Sequence, residues 1–239
     1  MFSYGPFYRR RYKAVAEFMG WRDYIAESNE VLSREPERIS AVFMSVQNGG
    51  RLAIGGLFNA VYNPGWHWGL ERGGSLLRVT RAEGSRLFVR DEFCGPAPPL
   101  SWTTCFLPYT WPFLMIPMLP PGLSINIRTT RLEGWIDIAT GEVDFVFNSA
   151  FSASLAGGLI KWEPPPLAVD AKMGTAEQTG SVFHAAGERL NGADATLVAL
   201  SVVPRTDNKW QNLLMGLPTD ALSVLKVRME FLGTRPKHD

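Results

Sequence analysis

Histidine and cysteine are the scarce residues in this 239-residue chain, at three and two respectively. Acid–base and nucleophilic catalysis both draw on these side chains, so their scarcity narrows the chemistry at once. His238 stands one residue from the last. His67 lies between Trp66 and Trp68 in a Gly- and Pro-containing turn, and His184 falls in a predicted strand near Ser181. Both read as structural histidines. Cys94 and Cys105 are separated by ten residues, which fits neither a zinc knuckle nor a disulfide framework. Two buried thiols is the reading, with a disulfide across the intervening loop as the alternative in an oxidising compartment. Also absent are a phosphate-cradling Gly-x-x-x-x-Gly-Lys-Ser/Thr motif, a Gly-x-Gly-x-x-Gly turn after a strand, and any His/Cys/Asp cluster with metal spacing. We therefore expect no catalytic residue, no metal and no nucleotide cofactor, and a noncatalytic protein. Paired carboxylates are the one residual source of acid–base chemistry. Asp137 and Asp144 flank a predicted hairpin, but alternation puts them on the solvent side, as surface charges.

An excess of charge of either sign is missing too. Twenty-four Lys plus Arg balance 23 Asp plus Glu, so no global field draws the chain onto nucleic acid. The first residues lack the basic-then-apolar pattern of a secretory signal. The longest uncharged run, residues 93–127, contains Pro96, Pro98, Pro99, Pro108, Pro112, Pro117, Pro120 and Pro121. Each removes a backbone donor, and that density is incompatible with a continuous spanning helix. The expectation is a protein that is soluble or peripheral to a membrane, not transmembrane.

What the chain does have is aromatic bulk, 23 Gly and 17 Pro, and many short apolar runs. From residue 7 to about residue 30, Val15, Phe18, Met19 and Ile25 recur at helical intervals, which predicts one or two amphipathic helices. After Pro36 the pattern becomes strand-like. Residues 39–46 are apolar on both parities, and 52–62 follow the Asn48-Gly49-Gly50 turn signal, which predicts a hairpin. Gly55-Gly56 reads as a bend or bulge in the second strand. Residues 76–80 and 87–93 flank another turn. Leu123, Ile125 and Ile127 alternate with polar residues, and the clearest hairpin joins 134–138 to 143–151 around Thr140-Gly141. That register puts Val143, Phe145, Phe147 and Phe151 on one buried face. Further runs at 167–169, 181–185, 195–203 and 225–231, with a short helix around 210–214, complete the reading. The fold class expected is mainly β with flanking α: an antiparallel, closed or strongly curved barrel-like sheet of about nine to eleven strands. An N-terminal helical segment over 1–37 precedes a single domain over 38–239.

The feature above background is the segment 102–123, in which Trp102, Phe106, Trp111, Phe113, Met115 and Met118 are punctuated by proline. So much apolar area is costly to leave in water, and its cover is the protein's own core, a partner or a membrane interface. Arg9, Arg10 and Arg11, with aromatic neighbours, suit an anionic surface; a solvated helix face is the plainer reading. The functional expectation is an accessory subunit docking on a larger, membrane-embedded complex through these residues. The alternative is a carrier of a lipid, pigment or isoprenoid, resembling lipocalin-like architecture in strand count and alternation alone. An enzyme of unknown reaction ranks third. An organelle such as a plastid is the expected setting.

Overall fold

The computed structural model describes residues 24–56, 58–64, 74–108, 116–155, 166–209, 212–213 and 216–234. Among them run β1 (Tyr24–Ala26), helix α1 (Asn29–Leu32), a single 3-10 turn (Pro36–Arg38), β2 (Ile39–Val46), β3 (Gly50–Ile54) and β4 (Phe58–Tyr62). Then come β5 (Gly74–Glu83), β6 (Arg86–Asp91), β7 (Pro96–Ser101), β8 (Cys105–Phe106), β9 (Leu123–Asp137) and β10 (Val143–Leu155). The remainder comprises β11 (Leu167–Gly174), β12 (Gln178–Thr179), β13 (His184–Ala185), β14 (Glu188–Asn191), β15 (Asp194–Val203) and β16 (Thr219–Thr234). Fourteen strands share one antiparallel sheet, in which β2, β5, β6, β9, β10, β11, β15 and β16 pair successively in a ring of eight. Strands β3, β4 and β8 extend from β16, β7 lies against β9, and β12–β13 is a separate hairpin.

Alternation explains the ring. On β10, Val143 and Phe145 are buried and Phe147 packs against them, while Val146 faces outward at 38% exposure. The facing strand carries Gly134 opposite Phe145, where a Cβ would stand 2.0 Å from the Asp144 carbonyl oxygen. Only glycine fits there. Val42, Met44, Leu77, Leu87, Val89, Leu132, Ile136, Met173, Leu197, Val227, Met229 and Phe231 join this core, so all eight ring strands contribute to it. Helix α1 packs against the same cluster. Ser28 caps it by accepting from the Val31 N–H, Leu32 inserts into the core, and the Asn29 carboxamide bonds Gly192 O, Met229 O and Phe231 N–H.

Several local expectations change. Residues 24–26 continue the sheet beside the end of β16 instead of forming a helix; the rest of the predicted helical region up to residue 23, with Arg9, Arg10 and Arg11, lies outside the described residues. The β2–β3 hairpin does not form. Both strands pair with β16, β2 along Met229–Gly233 and β3 along Ala221–Val224, so Asn48-Gly49 is a step between two stretches of one sheet edge. The reversal falls instead at Gly55-Gly56, where Gly55 takes φ +53° and lets β3 pair with β4. Residues 123–127 and 134–137 belong to one strand, β9, which a register shift opposite Asn148 and Ser149 lets bend without breaking. Among the described residues there are sixteen strands against the nine to eleven expected, four of them (β1, β8, β12 and β13) only two or three residues long.

Phe145→Ala should cost about 3–5 kcal/mol in a denaturant melt, since it removes a wholly buried ring from the middle of the core. Val146→Ala, one residue along and facing out, should stay within about 0.5 kcal/mol. Equal effects would mean that the two faces are misassigned.

Candidate functional site

A second apolar cluster of Ala60, Tyr62, Leu100, Cys105, Leu119 and Ile127 is built from β4, β7, β8 and the start of β9. Val46 and Leu225 touch both this cluster and the ring core, so the two are continuous. The described part of the Pro-rich segment supplies much of the second cluster. Phe106 is buried, Leu119 is buried, and Met118 packs against the cluster. Trp102 is on the same segment but stands 46% exposed.

The segment is tied into a narrow neck. Met118 N–H donates to Cys105 O at 2.9 Å, Phe106 bridges to Pro117, and Leu107 N–H donates to Ile116 O at 2.8 Å. Leu107 and Ile116, adjacent at the outer end of that neck, are both exposed. Between them the chain runs through residues 109–115, with Trp111, Phe113 and Met115, which lie outside the described residues. The structure thus separates the predicted docking residues: Phe106 is buried, Met118 packs against the protein's own cluster, and Trp102 faces solvent.

The titratable groups are engaged structurally. Cys94 and Cys105 are both free thiols. Burial pushes Cys105 up to about 11 and raises Cys94 as well, so neither supplies a thiolate at neutral pH. Asp137 and Asp144 do not face each other: Asp144 is opposite Trp135, and Asp137 is opposite Arg86. Nor is Asp137 a surface charge. It is buried at the β9–β10 turn, where Oδ1 accepts from Ser85 Oγ, Ala139 N–H and Thr140 N–H. Burial draws its pKa up, but these hydrogen bonds more than offset that and hold it below the ordinary value.

His184 makes the arrangement closest to catalytic geometry. Its Nδ1 is 2.8 Å from Thr179 Oγ1 and its Nε2 is 3.3 Å from Glu177 Oε1, in the order hydroxyl, imidazole, carboxylate. Yet His184 and Glu177 are 61% and 64% exposed, on a short hairpin that gives a reacting group no enclosure. The contacts brace the hairpin. A broad cleft of about 620 Å³ lies elsewhere, over β14, β15 and β16, lined by Gln47, Glu188, Arg189, Asp194, Thr196 and Lys226. Its charges are mixed, with Glu188 bonded to Thr196 and Arg189 to Glu142. Among the described residues no group of three or more His, Cys, Asp and Glu is placed to hold a metal, and no helix is long and apolar enough to cross a membrane.

Three residues without any sequence signal matter to the architecture. Asp220, buried on β16, accepts from Val182 N–H at 2.7 Å and Ser181 Oγ at 3.0 Å, fixing the β12–β13 hairpin over the outer cluster of Ala53, Val198 and Leu222. Gln178 and Ser149, taken up below, are the other two. Compared with protein-family models, curated proteins and solved structures, the chain matches none of them.

The Val182 N–H, with further donors from the same loop, holds the Asp220 carboxyl below its ordinary value. Its stabilising contribution is therefore complete above the unfolded carboxylate range, near pH 4, and is lost as pH falls through the lower folded value. Asp220→Asn should flatten that acid limb in a melt series between about pH 5 and pH 2. An unchanged limb would show that Asp220 does not anchor the hairpin.

Proposed function

We propose that the protein is a noncatalytic accessory subunit that docks on a larger membrane-embedded assembly through residues 102–123. The observation that carries this reading is the division within the segment: Cys105 and Leu119 root it in the protein's own cluster and Phe106 is buried, while Trp102, Leu107 and Ile116 stay exposed. Trp111 and Phe113 are the proposed anchors, because a few aromatics carry most of the energy of an interface. Arg9, Arg10 and Arg11 add attraction to an anionic surface. On this reading the protein works peripheral to a membrane, with a plastid as the proposed compartment.

A second reading rests on a different observation. Taken as a closed barrel, a ring of eight strands is wide enough to hold one small apolar ligand. The ring core fills one part of that interior and Phe151 packs against the second cluster, but along β11 the inward-facing Leu167 and Val169 are only half-buried. A lipid, pigment or isoprenoid would cover them.

The variant Trp102→Ser/Trp111→Ser/Phe113→Ser should lose more than about 2 kcal/mol of association with membranes or a candidate complex, while its thermal melt stays close to that of the unaltered chain. Phe106→Ser should do the reverse, lowering the melt sharply by leaving a cavity. Adding salt should weaken the Arg9–Arg11 contribution and spare the aromatic one. If the triple variant melts early and binds normally, the segment is core and the docking reading fails.

A further inference from the structure

The wall of the ring is uneven. β9 and β10 share thirteen register positions and β15 and β16 share ten, whereas β11 and β15 share three: Lys172 with Leu200, Met173 with Ala199, and Gly174 with Val198. It is the shortest ladder in the ring, and a side chain bridges it. The Gln178 carboxamide accepts from Leu200 N–H at 3.0 Å and donates to Lys172 O at 3.1 Å and Val198 O at 2.8 Å. It thereby takes the place of a peptide group between the two strands. Beyond it, residues 167–171 pair with β10 but have no ladder to β15 among the described residues; one further tie, from Ser201 Oγ to Asp170 O at 2.9 Å, crosses the gap.

The gap leads to apolar surface. Leu167, Val169 and Ala171 share the inward face of Met173, which is buried in the ring core, yet these three are half-buried while Ala168, Asp170 and Lys172 are exposed. Their β10 partners are Phe151, Ser149 and Phe147. Ser149, 4% exposed, has a hydroxyl with no hydrogen-bond partner among the described residues. A buried hydroxyl left unpaired in an apolar setting is costly, and a ligand atom that hydrogen-bonds to it removes that cost.

We propose that the gap between β11 and β15 is the side entrance to a binding site for an apolar chain bearing one hydroxyl or carbonyl group, with Gln178 as its latch and Ser149 as its polar anchor. This rests on the carrier reading above and adds where the ligand enters and what it must carry. No charged side chain shares the inward face of β11 along the gap, where Leu167, Val169 and Ala171 alternate with outward Ala168 and Asp170, so an uncharged chain fits better than an ionic one. Opening needs little: the amide must exchange its three hydrogen bonds for water, and the short ladder must part.

The test uses the full chain and a fluorescently labelled dodecanol. In Lys172→Cys/Leu200→Cys, the two thiols lie at a register pair, and oxidation closes the seam. Uptake and release should both slow about tenfold in the oxidised form relative to the same protein after reduction, with affinity little changed. Gln178→Ala should speed both rates and raise amide hydrogen exchange over 198–203 while the β9–β10 ladder stays protected. Ser149→Ala should weaken the alcohol about fivefold and leave the matching labelled hydrocarbon unaffected. Uptake that ignores both the crosslink and Gln178→Ala overturns the entrance, and equal loss of alcohol and hydrocarbon overturns the anchor. No binding of either probe by any form overturns the carrier reading and this inference together.

Discussion

Strand β16 is the shared edge on which the rest of the structure depends. A buried strand must satisfy its backbone groups on both sides, and β16 does so with β15 along one edge and with β2 and β3 in succession along the other. Its side chains are equally committed. Val227, Met229 and Phe231 enter the ring core, Leu225 reaches both main clusters, and Leu222, from the opposite parity, is buried in the outer cluster beneath the β12–β13 hairpin. A change of register by one residue would exchange these sets and leave the ring core without its contribution from β16. The ring, the β3–β4–β8 extension and the outer hairpin therefore all hang on one register.

What could be read from sequence follows from how local each determinant is. The β9–β10 hairpin was legible because Val143, Phe145 and Phe147 alternate beside a turn carrying Gly141, which adopts φ +73°. The double burial of β2 was legible from apolar residues on both parities. Pairing partners were not. Asn48-Gly49-Gly50 has the composition of a hairpin turn, yet β16 offers an edge long enough for both flanking strands, and that competition is invisible locally. At residues 24–26 the helical spacing of apolar residues gave way to an available stretch of β16.

The candidate site was legible as composition and not as geometry. Proline density identified the segment 102–123 as unable to form a spanning helix, and its apolar content identified it as needing cover. Which side chains root it and which face out depends on β4, β7 and β8, which come together from distant parts of the chain. Gln178 and Asp220 belong to no motif; their roles arise from the backbone groups that folding places beside them. Apolar area exposed at about 25 cal/mol per Å² destabilises a chain unless something covers it, and covering Trp102, Leu107 and Ile116, or Leu167 and Val169, would be favourable for that reason.

The docking account is tested most directly by hydrogen exchange over residues 102–123, measured on the chain alone and again with membranes from its native cell. The neck amides of Leu107 and Met118 are hydrogen-bonded in the chain alone, so the expected result is that exchange across residues 107–116 slows further when membranes are added, with the ring strands unchanged. Equal protection in both samples would mean that the protein covers the segment by itself, and would contradict the account.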